Sequence, residues 1–179
     1  MVRLFVAVEL PGEVRENIRA THEHLKKSRA RLTLVDPPLI HITLKFIGEV
    51  DERALDAIKA ALEPVRFEPF EISVQGLAGN NASSPRVIWA RVSDNGRCGE
   101  LAGIIEKALA PLGILPENRP FRAHATVARV KQFEPDLLPI IRSQSDCEFG
   151  RARVSGFSLR KSTLTPSGPK YEDVMVVTW

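Results

Sequence analysis

Two short motifs of the pattern His-x-Thr are the groups in this chain best suited to chemistry. They are His41-Ile42-Thr43 and His124-Ala125-Thr126. Each lies among aliphatic and β-branched residues, a composition typical of β-strands. Because alternate residues of a strand share a face, each motif presents one imidazole and one hydroxyl to the same side. Two such faces meeting across a cleft would surround an anion with titratable bases and hydrogen-bond donors.

The reaction that suits two opposed histidines is in-line displacement at phosphorus. Opening a cyclic phosphate needs a base that deprotonates the attacking water and an acid that protonates the departing ribose oxygen, on opposite sides of phosphorus. With an ordinary pKa of about 6.5, one histidine can be neutral and the other charged near neutral pH. We therefore predict that His41 and His124 are catalytic and that Thr43 and Thr126 donate hydrogen bonds to the phosphate oxygens.

Cationic residues near the motifs are further candidates for phosphate binding. Strict alternation places Lys45 on the face of His41, and Arg122 on the face of His124. Arg129 follows Thr126 by an odd number of residues, so alternation points it away from that face unless the strand bulges or ends there.

Other kinds of site fit the sequence less well. The remaining histidines, His22 and His24, fall in a predicted helix and are interpreted as surface residues. Neither motif has a Cys, Asp or second His at a ligand-like spacing, so no metal site is predicted. Cys98 and Cys147 form no C-x-x-C pattern and are interpreted as incidental thiols. The chain also lacks a G-x-S-x-G nucleophile motif and a glycine-rich phosphate loop.

Composition indicates one globular domain spanning residues 1–179. Hydrophobic residues make up 44% and charged residues 26% of the 179 residues, which is the usual globular balance. The net charge of +3 is compatible with an anionic ligand without requiring one. No apolar run is long enough to span a bilayer and the N-terminus does not resemble a signal peptide, so we expect a cytoplasmic protein with no membrane partner.

Periodicity predicts alternating strands and helices around the two motifs. Strands are predicted at 3–9, 39–50, 70–79, 86–92, 121–130, 149–162 and 171–179, the sixth as one long strand bulged near Ser155-Gly156. Helices are predicted from Val14 to before Pro37, after an Asp51 N-cap, at 101–112 and at 137–141. Trp89 is predicted to pack in the core. The pattern strand–helix–strand–helix–strand occurs twice, which predicts a duplicated α+β fold of two similar lobes facing one another.

The paired motifs and their surroundings resemble the 2H phosphoesterase superfamily, specifically its RNA 2′,3′-cyclic phosphodiesterase branch, historically called 2′-5′ RNA ligase. The resemblance covers the whole chain, through RLFVAVELP, HITLKFIGEV, RVIWARV, NRPFRAHATVARVK and SLRKSTLTPSGPKYE. It implies an α+β fold of two pseudo-symmetric lobes, each an antiparallel sheet with outer helices, around a central cleft. It also implies that the chain crosses between the lobes more than once.

The resemblance further implies hydrolysis of RNA 2′,3′-cyclic phosphate ends to 2′-phosphomonoesters, with reversible 2′-5′ ligation of tRNA fragments as a side activity. It implies that no metal and no cofactor take part, and we expect the protein to be a monomer. His124 is then the base toward water, His41 the acid toward the 3′ oxygen, and Arg129 the arginine that closes the family's H-x-T-x-x-R pattern. The chain departs from that pattern at Ala123, where the family usually has Pro, and at Ala125, where it has a larger aliphatic residue.

Two other functions remain open at this stage. One is a cyclic phosphodiesterase acting on a small nucleotide such as ADP-ribose 1″,2″-cyclic phosphate, which could use the same acid and base. The other is a non-catalytic RNA-binding module. A basic cluster on the predicted long strand favours RNA, because it could hold the body of the molecule. Its members are Arg151, Arg153, Arg160 and Lys161.

Overall fold

The computed structural model describes all residues, Met1–Trp179, as nine strands, five α-helices and three short 3-10 helices. The strands are β1 Val2–Glu9, β2 Arg31–Leu34, β3 His41–Val50, β4 Phe70–Gly79, β5 Val87–Ser93, β6 His124–Gln132, β7 Glu148–Val154, β8 Gly156–Thr165 and β9 Gly168–Thr178. The α-helices are α1 Gly12–Arg19, α2 His22–Leu25, α3 Leu55–Leu62, α4 Arg97–Leu109 and α5 Leu137–Ser143. The 3-10 helices are Pro37–Leu39, Glu52–Ala54 and Ala110–Leu112.

All nine strands belong to one antiparallel sheet in the order β7-β4-β5-β6-β3-β1-β8-β9, with β2 also paired to β6. Strand pairing is sparse at the centre of the sheet, because β3 and β6 share a single register pair, Ile42 with Ala125. We call β3-β1-β8-β9 the first half-sheet, and β6-β5-β4-β7 with β2 the second half-sheet. The predicted α+β fold is therefore confirmed, with its two antiparallel sheets present as half-sheets of one continuous sheet.

The chain does not build the half-sheets one after the other. The first takes β1 and β3 from the start of the chain and β8 and β9 from its end, while β4 to β7 form the second. The two occurrences of the strand–helix–strand–helix–strand pattern along the chain therefore do not correspond one to one to the two half-sheets. The chain passes from the first half-sheet to the second and back again, which agrees with the repeated crossing between lobes that the family resemblance implies.

One face of the sheet carries the hydrophobic core. Ile42, Leu44, Ala125 and Val127 point into a single cluster of 37 buried residues that also includes the apolar stripes of the helices. On this side α4 packs against β3, α1 against β7 and α5 against β4. We call the opposite face, where the two His-x-Thr motifs lie, the cleft face. None of the helices is long and apolar enough to cross a membrane.

Two element predictions need correction. Residues 149–162 form two strands, because the chain leaves the edge strand β7 of the second half-sheet and enters β8 between β1 and β9 of the first. The helix predicted from Val14 to before Pro37 breaks into α1 and α2 and is followed by β2, a short strand that covers the free edge of β6. The predicted cap after β3 is confirmed, since the Asp51 carboxylate accepts the Arg53 backbone N–H.

Candidate active site

The two motifs lie where the half-sheets join. Ile42 pairs with Ala125 and both side chains are fully buried in the core, so the residues on either side of each point to the cleft face. Because the strands are antiparallel, His41 lies on the side of Thr126, and Thr43 on the side of His124. All four side chains are half-buried. The fold thus brings the predicted catalytic and phosphate-binding residues together at one place.

His41 is held by polar contacts on both ring nitrogens and by aromatic rings on its faces. Its Nδ1 lies 2.7 Å from the Leu39 carbonyl, and its Nε2 lies 3.0 Å from Thr43 Oγ1. The carbonyl can only accept, so Nδ1 carries the hydrogen and a neutral ring accepts from the threonine at Nε2. Phe5 stacks on the imidazole at 5.0 Å between centroids, and Tyr171 meets it edge-on at 5.5 Å.

His124 is held in the corresponding way. Its Nδ1 lies 2.8 Å from the carbonyl oxygen of Arg122, two residues earlier in the chain. Leu39 likewise precedes His41 by two residues and binds its Nδ1 in the same way. Trp89 packs on the ring at 4.5 Å between centroids and an interplanar angle of 37°. Trp89 is the register partner of Thr126 on β5, so it belongs to the cleft face. The prediction that it packs in the core was wrong, because its alternation on β5 places Ile88 and Ala90 in the core instead.

Burial sets the charge state of His41. Desolvation lowers the pKa of His41 to about 4, and the charges of Arg160 and His124 lower it further, while the hydrogen bond to Leu39 opposes the shift. The ring is therefore neutral at neutral pH in the unliganded protein. The influence of His124 also places the two imidazoles within electrostatic reach of one another.

A β-bulge follows each threonine and changes which residues share its face. On β3 the register against β1 shifts between Thr43 and Lys45, and on β6 the register against β5 shifts between Thr126 and Ala128. Lys45 is consequently turned into the protein and is only 2% exposed. Its Nζ lies 2.9 Å from Glu106 Oε1 and 2.7 Å from the Leu115 carbonyl. The expectation that Lys45 shares the face of His41 is corrected accordingly.

The same kind of bulge brings Arg129 to the cleft face. Val127 and Ala128 are both buried, and Arg129 is exposed. Burial raises the pKa of Tyr171 and the charge of Arg129 acts to lower it, so Arg129 lies within electrostatic reach of this residue of the first half-sheet. Arg129 follows His124 by five residues, and the residue five positions after His41 is Phe46 on β3. Phe46 is 45% exposed, and the guanidinium of Arg3 lies 5.1 Å from the centroid of its ring.

Arg122 lies just before β6, and its backbone contributes more to the geometry than its side chain. Its carbonyl accepts from His124 Nδ1, while the exposed guanidinium takes part in none of the ion pairs of the structure. Because β6 begins at His124, the sharing of a strand face by Arg122 and His124 stays a prediction.

Besides Trp89, three side chains of the site were not predicted from the sequence: Phe5, Tyr171 and a buried Arg160. Arg160 is 6% exposed, and its Nε donates to Asp173 Oδ1 at 2.7 Å. It lies on β8 opposite Phe5 and acts electrostatically on His41. The only sequence signals were the apolar start of the chain and the closing segment SLRKSTLTPSGPKYE, both far from the motifs in sequence.

His22 also departs from its prediction as a surface residue. It is 7% exposed, burial lowers its pKa, and its Nε2 has no hydrogen-bond partner. His24 is exposed as expected. The structure contains no group of three or more His, Cys, Asp or Glu side chains arranged to hold a metal ion. An open cavity of about 630 Å³ lies beside the cleft, between the segment Asp36–Leu39 and the β8–β9 hairpin, and Tyr171 forms part of its wall.

Comparison with known proteins agrees with this geometry. The chain matches the LigT-like phosphoesterase family over residues 8–89 and 92–171. It is 40% identical over 176 residues to the RNA 2′,3′-cyclic phosphodiesterase of Archaeoglobus fulgidus, covering 98% of this chain and 99% of the relative. It is 36% identical to the protein of the same name from Methanothermobacter thermautotrophicus, covering 98% and 97%.

Solved structures give the same result. A crystal structure of a Thermus thermophilus protein superposes with a TM-score of 0.81 at 30% identity, covering 98% of this chain and 97% of that one. Escherichia coli LigT in complex with 3′-AMP superposes with a TM-score of 0.81 at 26% identity, covering 99% and 97%. The resemblance found in the sequence is therefore confirmed, and the chain belongs to the LigT-like phosphoesterase family.

Proposed function

We propose that this protein hydrolyses the 2′,3′-cyclic phosphate at the end of an RNA to a 2′-phosphomonoester. The observation that carries the proposal is the meeting of both His-x-Thr motifs at the single register pair between β3 and β6. The relatives named RNA 2′,3′-cyclic phosphodiesterase support the same reaction. The complex of E. coli LigT with 3′-AMP supports a nucleotide as the bound group.

In the proposed reaction His124 is the base and His41 the acid. His124 Nε2 takes a proton from water, the water oxygen bonds to phosphorus, and the bond from phosphorus to the 3′ oxygen breaks. His41 Nε2 gives its proton to that oxygen, which leaves a 2′-phosphate and a 3′-hydroxyl. Thr43 and Thr126 donate hydrogen bonds to the non-bridging oxygens, and Arg129 balances their charge.

This division of roles requires His41 to gain a proton when substrate binds. In the unliganded protein its pKa is about 4, mainly because of burial. An anionic phosphate against the ring supplies the opposite charge that stabilises the imidazolium and raises the pKa. Thr43 then donates to the phosphate instead of to His41. The substrate itself would thus convert a neutral imidazole into the acid that the reaction needs.

The proposal takes RNA rather than ADP-ribose 1″,2″-cyclic phosphate as the substrate, because the relatives named for an activity are named for RNA. Replacement of water by the 5′-hydroxyl of a second RNA would give the reversible 2′-5′ ligation of tRNA fragments through the same acid and base. We further propose that the enzyme acts as a cytoplasmic monomer, as expected from the sequence.

The test is the identity of the product. An oligoribonucleotide with a 2′,3′-cyclic phosphate is incubated with the protein, and the 2′- and 3′-phosphate products are separated by chromatography. Only the 2′-phosphate should accumulate. ADP-ribose 1″,2″-cyclic phosphate is assayed beside it and should turn over with a lower kcat/KM. Equal accumulation of both RNA products, or no turnover of the RNA, would contradict the proposal.

A further inference from the structure

Three cations without acidic partners lie on the cleft face beyond Thr126. Arg129 and Lys131 are both exposed on β6, on either side of the buried Val130, and Thr33 of β2 is the register partner of Arg129. Arg31 is exposed like Thr33, two residues later on β2, and it pairs with Gln132 after a register shift that leaves Lys131 as the extra residue of a bulge on β6. All three cations are exposed, and none takes part in an ion pair. We call Arg31, Arg129 and Lys131 the β2–β6 strip.

The basic cluster predicted from the sequence does not form such a surface. Arg151 and Arg153 lie on β7, at the outer edge of the second half-sheet, while Arg160 and Lys161 lie on β8 in the first. Arg153 also pairs with Glu71. Because the four residues are divided between opposite halves of the sheet, they cannot follow one nucleic-acid strand as a continuous patch.

The other end of the cleft carries charges of both signs. Glu9 is exposed beside His41, its register partner across β1 and β3. Asp36 and Glu172 line the cavity at the β8–β9 hairpin, where Lys170 is the single cation. Glu9 also pairs with Arg15 and Arg160, so the charges at this end partly balance one another. An RNA backbone carries one negative charge per nucleotide, and the unpaired cations of the β2–β6 strip therefore attract it more strongly than this end does.

We propose that the RNA chain upstream of the cyclic end runs along the β2–β6 strip. The inference rests on the proposed function, since it takes the cyclic phosphate to be bound between the two motifs. From Thr126 to Lys131 the strand extends about 17 Å at roughly 3.3 Å per residue, which is enough to contact the phosphates of several nucleotides. Arg31 and Arg129 can also stack on unpaired bases. The strip would make the enzyme prefer an RNA end over a free cyclic nucleotide.

Binding tests the strip without requiring turnover. The double variant Arg31→Gln/Lys131→Gln is compared with Arg53→Gln/Lys107→Gln, which removes two exposed cations from the helical side of the protein. The probe is a fluorescent oligoribonucleotide ending in a 2′-phosphate, followed by anisotropy at several KCl concentrations. The strip variant should bind several-fold more weakly, and the slope of log K against log salt should fall by about 1.4. The helical-side variant should match the parent.

Turnover separates failure of the strip from failure of the proposed function. For each variant, kcat/KM is measured on a cyclic-ended oligonucleotide and on a 2′,3′-cyclic mononucleotide. The ratio of the two should fall in the strip variant and stay at the parent value in the helical-side variant. If the parent protein hydrolyses neither substrate, the proposed function itself is refuted. An active parent whose ratio and salt slope do not change with Arg31→Gln/Lys131→Gln would overturn the strip alone.

Discussion

At the scale of single residues, the site consists of two imidazoles held in the same way. Each ring donates from Nδ1 to a carbonyl two residues earlier and packs against an aromatic side chain from the neighbouring strand. The hydrogen bond fixes the tautomer, and the aromatic ring limits rotation of the imidazole. Nε2 is therefore the nitrogen left to exchange protons at both positions. Such positioning lowers the entropic cost of bringing acid, phosphate and base into line.

The two histidines should behave as one catalytic unit. His41→Ala and His124→Ala should each reduce kcat/KM on a cyclic-ended RNA by at least about 100-fold, because each removes proton transfer worth roughly 10²–10⁴. The double variant should fall much less than the product of the two losses, and the parent profile against pH should be bell-shaped. Thr43→Ala and Thr126→Ala should be milder. A folded single histidine variant within about threefold of the parent would refute the paired mechanism.

Proton uptake at His41 on ligand binding gives a second prediction. Near pH 6 the unliganded ring is neutral, since its pKa is about 4. Binding of a nucleoside 2′-phosphate should therefore be accompanied by uptake of close to one proton, measured by calorimetry in buffers of different ionisation enthalpy. His41→Gln corrects for protons exchanged by the ligand. Equal uptake by parent and variant would show that His41 stays neutral, and it would then be the base rather than the acid.

At the scale of secondary structure, the strands could be predicted better than their register. Alternation in HITLKFIGEV and HATVARVKQ correctly places Ile42 and Ala125 in the core and the motif residues on the opposite face. It fails after each threonine, where a bulge exchanges the faces, burying Lys45 and exposing Arg129. A bulge depends on pairing with a neighbouring strand, β1 or β5, so the local sequence carries little sign of it.

Burial of His41 by β1 leads to a prediction for Phe5. Replacing the stacked ring by a smaller side chain, in Phe5→Leu, should admit water and raise the pKa of His41 from about 4 toward its ordinary value. Phe5→Tyr keeps the ring and should keep the low pKa. The measurement is an NMR titration of the imidazole C–H signals in the unliganded protein. Trp89→Leu, which alters the partner of His124, serves as the control, and an unchanged titration in Phe5→Leu would contradict the assigned cause.

At the scale of the whole molecule, the fold class could be predicted from the sequence, while the crossing of the chain between the lobes was implied only by the family resemblance. Repeated strand and helix patterns indicate two α+β lobes, and the family resemblance implies that each contains an antiparallel sheet. Nothing local indicates that residues 149–162 divide between them, because β7 pairs with β4 and β8 pairs with β1, both distant in sequence. The same distance hid Tyr171 and Arg160, which reach His41 only through this closing of the first half-sheet.

The number of possible metal ligands in the site leads to a prediction about metal ions. The motifs supply two imidazoles, and a catalytic zinc site usually has three protein ligands. Hydrolysis of a cyclic-ended RNA should therefore survive exhaustive treatment with EDTA at a rate equal to that of the untreated protein. Readdition of zinc or manganese should not increase the rate. Loss of activity that either ion restores would require a metal-dependent mechanism.

Stability should depend on pH through the same buried histidine. The folded pKa of His41 is about 4 and its ordinary value is 6.5, so the unfolded chain binds more protons between these pH values. The stabilisation from keeping this ring neutral is present above about pH 6.5 and is lost as the pH falls toward 4. At 1.36 kcal/mol per pH unit, the loss reaches about 3 kcal/mol at most.

Urea unfolding at pH 7.5 and pH 4.5 measures this loss directly. His41→Gln, which cannot titrate, should lose about 2 kcal/mol less stability than the parent between the two pH values. His22, whose pKa is also lowered by burial, contributes in the same direction and is retained in both proteins. His24→Gln removes an exposed histidine and should behave as the parent does. If His41→Gln loses as much stability as the parent, the buried neutral imidazole does not set the acid sensitivity, and titrating carboxylates would account for it instead.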